Sequence, residues 1–292
     1  MGAVFFIYLQ VVMPINFLQN IKMSMSPKSE LITGEGGLYE QLQTENILGI
    51  HVFSCRDLKP SQSLFNDGLP SLIFMPRKSD TVHLRDKGET VRFNSAWVCC
   101  GVIKNTCWKV PEGLEYILVL RFKPSSFYSL FNVSPSVFHS NPICNLEDIV
   151  SESWMQVFDK MYEKNTISDR ISFLDKALSS AQANDCCPHI LSEAIEYIED
   201  KKGNTTVLNV LNQLGKRVNS KWLHRNFVKY IGISPKRYIL LQRFIYTYGQ
   251  YEKGKSEDLF EVALLSGYYD YNHFFKDFKR YIGIAPSQYT WE

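Results

Sequence analysis

A twelve-residue segment occurs twice near the end of the chain, and this internal repeat constrains the fold more than any other feature. Phe227–Tyr238 and Phe278–Tyr289 are identical at seven of twelve positions, with an offset of 51 residues throughout. The same offset aligns Leu223 with Phe274 upstream. Because the sequence contains no third copy, the repeat predicts two copies of one structural unit rather than a solenoid.

Each copy is typical of two helices joined by a short turn. In the first copy Asn219 or Ser220 can cap the second helix, and in the second copy Asp270 can do so. A glycine and then a proline close that helix in both copies. The turn of the first copy has one or two extra residues around Gly215. Residues 236–251 are predicted to form one longer helix that holds the two units at a fixed separation.

The basic residues of the chain are concentrated in the same region. Residues 201–280 contain 15 Lys and Arg against 6 Asp and Glu, a net charge of +9, whereas the rest of the chain contains 17 against 24, a net charge of −7. A basic end joined to an acidic body is typical of a polyanion-binding module beside a domain that need not contact nucleic acid. The alternative interpretation of this charge is a solvated helical surface.

Two recognition helices about 34 Å apart can enter successive major grooves on one side of a DNA duplex. Leu223 and Phe227 in one copy, at the spacing of one helical turn, are predicted to face the core. Phe274 and Phe278 take these positions in the other copy, so the opposite face of each helix is left for DNA. The side chains predicted to contact bases are Lys221, His224, Arg225, Tyr271, Asn272, Phe275 and Lys276. Those predicted to contact phosphates are Lys229, Lys236, Arg237, Arg243, Lys279 and Arg280. The alternative for any one of them is a solvated helix face.

Three stretches carry a family resemblance: Arg225–Pro235, Val262–Phe278 and the closing Gly283–Tyr289. On these stretches, residues from about 190 to 292 resemble the C-terminal DNA-binding domain of the AraC/XylS family of bacterial transcriptional regulators. The resemblance implies seven helices with two helix-turn-helix units that bind promoter DNA, and usually activation of transcription with RNA polymerase as a partner. It also places the family's base-contacting positions on the seven residues named above.

The preceding part of the chain is predicted to be a small antiparallel β-barrel or sandwich with flanking helices, which makes the fold class α+β. The predicted strands are Ile47–Phe53, Ser71–Met75, Thr90–Val98 and Tyr116–Phe122. The interior is either filled by side chains or holds a small ligand, for which the candidate lining residues are Trp97, Trp108, Arg121 and Phe122. Phe65–Phe74 and Leu120–Pro124 resemble uncharacterised modules found in front of this DNA-binding pair, which implies a sensor or dimerisation role.

We therefore divide the chain into a leader at residues 1–30, a sensor or dimerisation domain at 31–180 and a DNA-binding domain at 189–292. The apolar run in the leader, residues 3–13, is too short to span a membrane. It lacks the positive charge that starts a secretory signal. We expect a disordered leader or an over-long start, and a membrane tether is the alternative.

The cysteines and the absence of catalytic motifs exclude other function classes. Seven cysteines are too sparse for a disulfide scaffold, so a reducing, cytoplasmic compartment is expected. No phosphate-binding loop, nucleophile elbow, zinc-protease or dinucleotide motif is present, so no enzyme, cofactor or metal is predicted. His189, beside Cys186 and Cys187, is interpreted as part of an interdomain segment.

The expected protein is a regulator whose N-terminal domain binds a small effector or a second subunit, as in a homodimer. The alternatives are a non-specific architectural DNA-binding protein and a regulator whose N-terminal part only contacts other proteins.

Overall fold

The computed structural model describes residues 15–16, 46–56, 60–65, 68–86, 88–100, 102–103, 106–123, 126–138, 141–181, 187–253 and 258–288. In these residues the chain forms a β-sandwich with attached helices, followed by a helical domain, which confirms the predicted α+β class. Apart from β1 at Ile15–Asn16, the predicted leader lies outside the described residues. No helix in the described ranges is both long and apolar enough to cross a membrane.

The sandwich consists of two five-stranded sheets. Its further strands are β2 Ile47–Ser54, β3 Ser61–Phe65, β4 Ser71–Phe74, β5 Val82–Asp86, β6 Glu89–Phe93, β7 Ala96–Cys99, β8 Thr106–Lys109, β9 Tyr116–Phe122 and β10 Ile143–Asn145. The first sheet has the order β1-β3-β8-β5-β6 and the second has the order β10-β7-β4-β9-β2. All of these pairs are antiparallel except β1 with β3.

The single strand predicted over Thr90–Val98 is wrong in one respect. The structure divides it into β6, in the first sheet, and β7, in the second, and the chain passes between the sheets at residues 94–95. The predicted strands also omit β1, β3, β5, β8 and β10. Strand β10 shows why a strand can be missed, because it has only three residues, too few for an apolar alternation to be recognised.

Strand β9 divides its side chains between two cores. Ile117 and Val119 point between the sheets, whereas Leu118 and Leu120 point to helices packed on the second sheet. Those helices are α1 Ser126–Phe131, α2 Glu152–Tyr162 and α3 Ile167–Ser180.

The structure corrects one of the residues predicted to line the pocket. Phe122 faces the helices, with its ring centroid 5.5 Å from that of Phe127 and 5.6 Å from that of Phe131. It therefore does not share the interior with Trp97, Trp108 and Arg121.

The interior of the sandwich contains a buried histidine. His51 on β2 lies opposite Val119 in the strand register and thus faces the other sheet. Burial, together with the charge of Arg121, lowers the pKa of His51 to about 4. The imidazole is consequently neutral in the folded protein at pH 7.

This histidine predicts a specific loss of stability in acid. Because the pKa of His51 is lower in the folded state than in the unfolded state, its contribution to stability is present above the unfolded pKa. The contribution is lost as the pH falls towards 4. Between pH 7 and pH 4 the wild type should lose about 3 kcal/mol more unfolding free energy than His51→Gln. Urea unfolding at both pH values measures this difference, and equal losses in the two proteins would show that His51 is not buried as described.

The C-terminal domain contains six α-helices in the described residues, one fewer than the seven that the family resemblance implies. They are α4 His189–Asp200, α5 Val207–Gln213, α6 Ser220–Ile231, α7 Pro235–Lys253, α8 Leu259–Leu265 and α9 Tyr271–Ile282. The pairs α5–α6 and α8–α9 are the two repeat units, and α7 joins them as one continuous helix, as the sequence predicts. His189, which begins α4, has its Nδ1 3.0 Å from Oε1 of Glu193 on the next helical turn.

The two domains contact each other near the end of α6. A Cβ atom at Gly232, the residue that ends α6, would lie 2.8 Å from the hydroxyl oxygen of Tyr128 on α1. Leu69, from the loop before β4, is buried in the core of the helical domain. The N-terminal domain is packed against both repeat units, since residues 135–138 contact α6 and strand β3 contacts α9.

Candidate DNA-binding surface

The second helix of each repeat unit begins and ends in the same way. The side chain of Asn219 accepts a hydrogen bond from the backbone N–H of Trp222 at 2.9 Å. The side chain of Asp270 accepts the equivalent bond from His273 at 2.8 Å. A glycine in the left-handed conformation ends each helix, at equivalent positions of the repeat. The structure therefore has caps at Asn219 and Asp270, as predicted.

The turn of the first unit is one residue longer than that of the second. Residues 214–219 connect α5 to α6, whereas residues 266–270 connect α8 to α9. The extra residue is accommodated by a 3-10 turn at Gly215–Arg217. The Nε atom of Arg217 donates to the carbonyl of Leu214 at 2.8 Å, and its Nη1 donates to Oε1 of Glu193 at 3.1 Å. This hydrogen bond lowers the pKa of the Glu193 carboxyl and ties the turn to α4.

The predicted two-sided character of α6 is present in the structure. Leu223 and Phe227 are fully buried in the helical core. On the other side, all three residues predicted to contact bases are exposed: Lys221, His224 and Arg225. The first unit therefore presents a basic surface with one titratable ring.

Helix α9 has the same two sides but a different exposed surface. Phe274 and Phe278 are fully buried, whereas Asn272 and Lys276 are exposed. The predicted contacts Tyr271 and Phe275 are only half-buried, and their ring centroids are 6.2 Å apart. They form an aromatic pair on the surface beside the polar residues.

The buried carboxylate of Asp277, on α9, accepts two side-chain hydrogen bonds. The Tyr268 hydroxyl donates to Oδ2 of Asp277 at 3.4 Å, and Nη1 of Arg280 donates to Oδ1 at 3.0 Å. Burial raises the pKa of Asp277, and the charge of Arg280 opposes that rise. Arg280, a predicted phosphate contact, is thus held in position at the rim of the helix, where half of its side chain remains exposed.

Four of the other predicted phosphate contacts are exposed cations: Lys229, Lys236, Arg237 and Lys279. Lys229 is oriented by its neighbour, since its Nζ donates to the Tyr230 hydroxyl at 2.9 Å and lies 4.5 Å from the centre of that ring. These cations lie on α6, α7 and α9.

Arg243 differs from these cations, because its guanidinium is engaged inside the domain. Its Nε donates to the carbonyl of Gly203 at 3.1 Å and its Nη2 donates to that of Thr205 at 3.3 Å. The guanidinium also lies 5.7 Å from the ring centre of Tyr268. These contacts join the α4–α5 loop to α7 and to the turn of the second unit. They favour a structural role for Arg243 over the predicted phosphate contact.

Two exposed aromatic residues beside α9 were not predicted. The ring of Phe260 on α8 lies 5.9 Å from Tyr271 and extends the aromatic pair. Tyr269, which is 89% exposed, precedes the cap of α9 and lies 6.4 Å from the ring of His273. The sequence carries no clear signal for Tyr269, because its neighbour Tyr268 lies between the same turn glycine and cap residue and is buried.

A known family of protein domains matches this part of the chain. Residues 217–290 match a family described as a helix-turn-helix domain, of the AraC type, and this match spans the first recognition helix and the whole second unit. No curated protein matches the chain.

Among solved structures, the chain is similar to ToxT from Vibrio cholerae. An apo lysine-to-alanine variant of ToxT from strain SCE256 is 14% identical, with a TM-score of 0.43 over 85% of this chain and 98% of that one. A second ToxT crystal form is 16% identical, with a TM-score of 0.42 over 82% and 96%. ToxT with a bound unsaturated fatty acid is 13% identical, with a TM-score of 0.42 over 85% and 96%.

The match to the family and the two capped, basic recognition helices lead to one conclusion. The C-terminal part of this chain is an AraC-type helix-turn-helix domain, and the protein is a DNA-binding transcriptional regulator.

Proposed function

We propose that the protein reads an asymmetric promoter element through the exposed faces of α6 and α9. The observation that carries this proposal is the chemical difference between the two faces at equivalent positions. His224 in the first unit is replaced by Phe275 in the second, and Arg225 is replaced by Lys276. Identical faces would suit a direct repeat, whereas these faces favour an element whose two halves differ in sequence.

The side chains on each face determine which bases they can read. The Arg225 guanidinium can bond bidentately to O6 and N7 of guanine, and the Asn272 amide can bond to N6 and N7 of adenine. The aromatic pair of Tyr271 and Phe275 can contact a thymine methyl group. We assign Lys221, His224 and Lys276 to the same surfaces, and the exposed cations described above to phosphates.

The connecting helix supports simultaneous binding of both units. Helix α7 contains 19 residues, which corresponds to a length of about 28 Å at 1.5 Å per residue. Successive major grooves on one face of B-DNA are about 34 Å apart. A continuous helix of this length can hold two recognition helices near that spacing.

Selection of random duplex DNA on the full-length protein tests this proposal. We expect an asymmetric motif with two half-elements about one helical turn apart. Enrichment of no sequence, with affinity that depends only on salt, would instead support a non-specific architectural protein, which the net charge of residues 201–280 also suits.

The division between base and phosphate contacts predicts different mutant behaviour. Arg225→Ala or Lys276→Ala should weaken binding to the selected motif by about 1–3 kcal/mol and relax specificity at one base pair. Lys229→Ala should weaken binding to all sequences alike and reduce the salt dependence by about one phosphate contact. Binding titrations over a salt series, with matched and single-substituted duplexes, measure both effects.

Lys176→Ala is a suitable control, because this exposed lysine is on α3 of the other domain and should leave DNA binding unchanged. If Arg225→Ala, Lys276→Ala and Lys229→Ala behaved identically on every duplex, the assignment of base and phosphate contacts would be wrong.

The N-terminal domain regulates DNA binding in this proposal. The support is its contact with the end of α6, where Tyr128 lies against Gly232. A small effector or a second copy of the chain that favours one arrangement of this contact would change the affinity for DNA. In line with the family resemblance, we assign the protein a role as an activator that acts with RNA polymerase in the bacterial cytoplasm.

A further inference from the structure

The outer face of the first sheet carries exposed charges of one sign. Leu84 on β5 points into the inter-sheet core, so its neighbours His83 and Arg85 point to the other side. His83 lies opposite Arg92 on β6 and opposite Lys109 on β8 in the strand register. All four of these side chains are exposed. Three neighbouring strands thus present His83, Arg85, Arg92 and Lys109 on one surface, which we call the basic sheet face.

The described side chains of β5, β6 and β8 that share this face include no acidic residue. The other two are Thr90 and Cys107, which both lie opposite Arg85 in the register. Glu89, at the start of β6, points to the other side of the sheet by strand alternation. Outside residues 201–280 the chain has a net charge of −7, so a purely basic face does not reflect the average composition of this part.

This composition fits a nucleic-acid backbone better than a protein partner. Protein interfaces depend on aromatic and aliphatic anchors that become buried, and the basic sheet face has none among its described residues. Binding to DNA phosphates instead requires exposed cations, and a guanidinium can donate to two phosphate oxygens at once. Charge complementarity therefore favours double-stranded DNA as the partner.

The basic sheet face is also continuous with the second recognition helix. Strand β3, in the same sheet, contacts α9, and the strands follow from there in the order β3-β8-β5-β6. Neighbouring strands are about 4.8 Å apart, so the face extends from about 5 Å to about 14 Å beyond β3. Along B-DNA this reach corresponds to about four base pairs.

We propose that the basic sheet face binds the phosphates of the DNA that flanks the half-element read by α9. The guanidinium groups of Arg85 and Arg92 and the ammonium group of Lys109 donate to phosphate oxygens, which adds affinity without reading sequence. The N-terminal domain is then part of the DNA-binding surface itself. This inference rests on the proposed function, since it places α9 in the major groove.

Duplexes of different length test the inference with the full-length protein. The core duplex ends at the two half-elements of the selected motif, and two longer duplexes add about ten base pairs of arbitrary sequence at one end or the other. The end that adjoins the α9 half-element is the one where Lys276→Ala relaxes specificity. Wild type should bind about tenfold more tightly when this end is extended, whereas extension of the other end should give no gain.

A charge-removing variant tests the location. Arg85→Gln combined with Arg92→Gln changes only exposed side chains, so this double variant should fold and should bind the core duplex like wild type. On the extended duplex it should lose most of the gain, with a salt dependence lower by about two phosphate contacts. Lys160→Gln combined with Lys176→Gln is the matched control, because it removes two exposed cations from α2 and α3 and should keep the gain.

Equal affinity of wild type for the core and extended duplexes would overturn the inference, and so would a gain that the double variant keeps. Sedimentation at low salt measures the other possible partner, a second copy of the chain. Weaker self-association of the double variant, with unchanged DNA binding, would assign the face to that copy and also overturn the inference.

Failure of the proposed function gives a different result. If no motif is selected, sequence-specific binding is refuted, but random DNA of about 40 base pairs still allows wild type and the double variant to be compared over a salt series. Equal salt dependence of the two proteins on that DNA would refute the role of the basic sheet face independently.

Discussion

Phe244→Ala will lower the free energy of unfolding of the C-terminal domain by about 3–5 kcal/mol, because the residue is fully buried at the centre of an aromatic cluster. The centroid of its ring lies 4.7 Å from that of Tyr281, 6.0 Å from Phe278 and 6.3 Å from Phe274, all on α9. Phe244 itself is on α7, so this cluster is what attaches the second recognition helix to the connecting helix. Loss of the ring should weaken binding to the selected duplex as well as stability.

Chemical unfolding followed by circular dichroism measures this change. Leu265→Ala is the matched control, since this leucine is 78% exposed at the end of α8 and its removal should change stability by about 0.5 kcal/mol or less. A cost below about 1 kcal/mol for Phe244→Ala would contradict the packing of α7 against α9.

The second large effect is expected at Gly203, in the loop between α4 and α5. A Cβ atom at this position would lie 2.2 Å from the backbone nitrogen of Arg243 and 2.5 Å from the carbonyl oxygen of Ile239, both on α7. Gly203 also has a φ of +70°, which disfavours any L side chain. Backbone atoms of a helix cannot move aside as a flexible side chain can, so Gly203→Ala should cost about 2–5 kcal/mol.

Gly215→Ala separates the two causes. Gly215 has a similar φ of +65°, but no atom lies within 4 Å of the position of an added Cβ. Its substitution should therefore cost only the conformational strain, about 1–2 kcal/mol. Unfolding curves of the two variants give the comparison, and equal costs would show that the loop does not lie against α7 as described.

The features that the sequence predicts well are those determined by neighbours in the chain. Caps at Asn219 and Asp270 bond to an N–H only three residues away, so a short segment is enough to recognise them. The buried faces of α6 and α9 follow from residues four positions apart. The two repeat units and the connecting helix could therefore be read from the sequence almost to the residue.

The features that it predicts poorly depend on residues far apart in the chain. Phe122 and Arg121 are adjacent on β9 but face opposite sides of the sheet. Which of them faces α1 and which faces the other sheet depends on where those elements pack. The guanidinium of Arg243 bonds to Gly203 and Thr205, about 40 residues earlier, so its structural role has no local signal. His51, Trp97, Trp108 and Arg121 come from four different strands of the sandwich. The sequence predicts only the last three of them as interior residues.

The unbroken course of α7 has a consequence for the promoter. A rigid connector fixes the phase of the two recognition helices as well as their distance, and each added base pair turns the duplex by about 35° and lengthens it by about 3.4 Å. A promoter that gains or loses one base pair between its half-elements would thus present the second half rotated by about 35° and shifted by about 3.4 Å relative to α9, which should weaken simultaneous binding of both units. In the function proposed above, the target sites of this regulator should therefore keep a fixed spacer length in addition to the bases that α6 and α9 read.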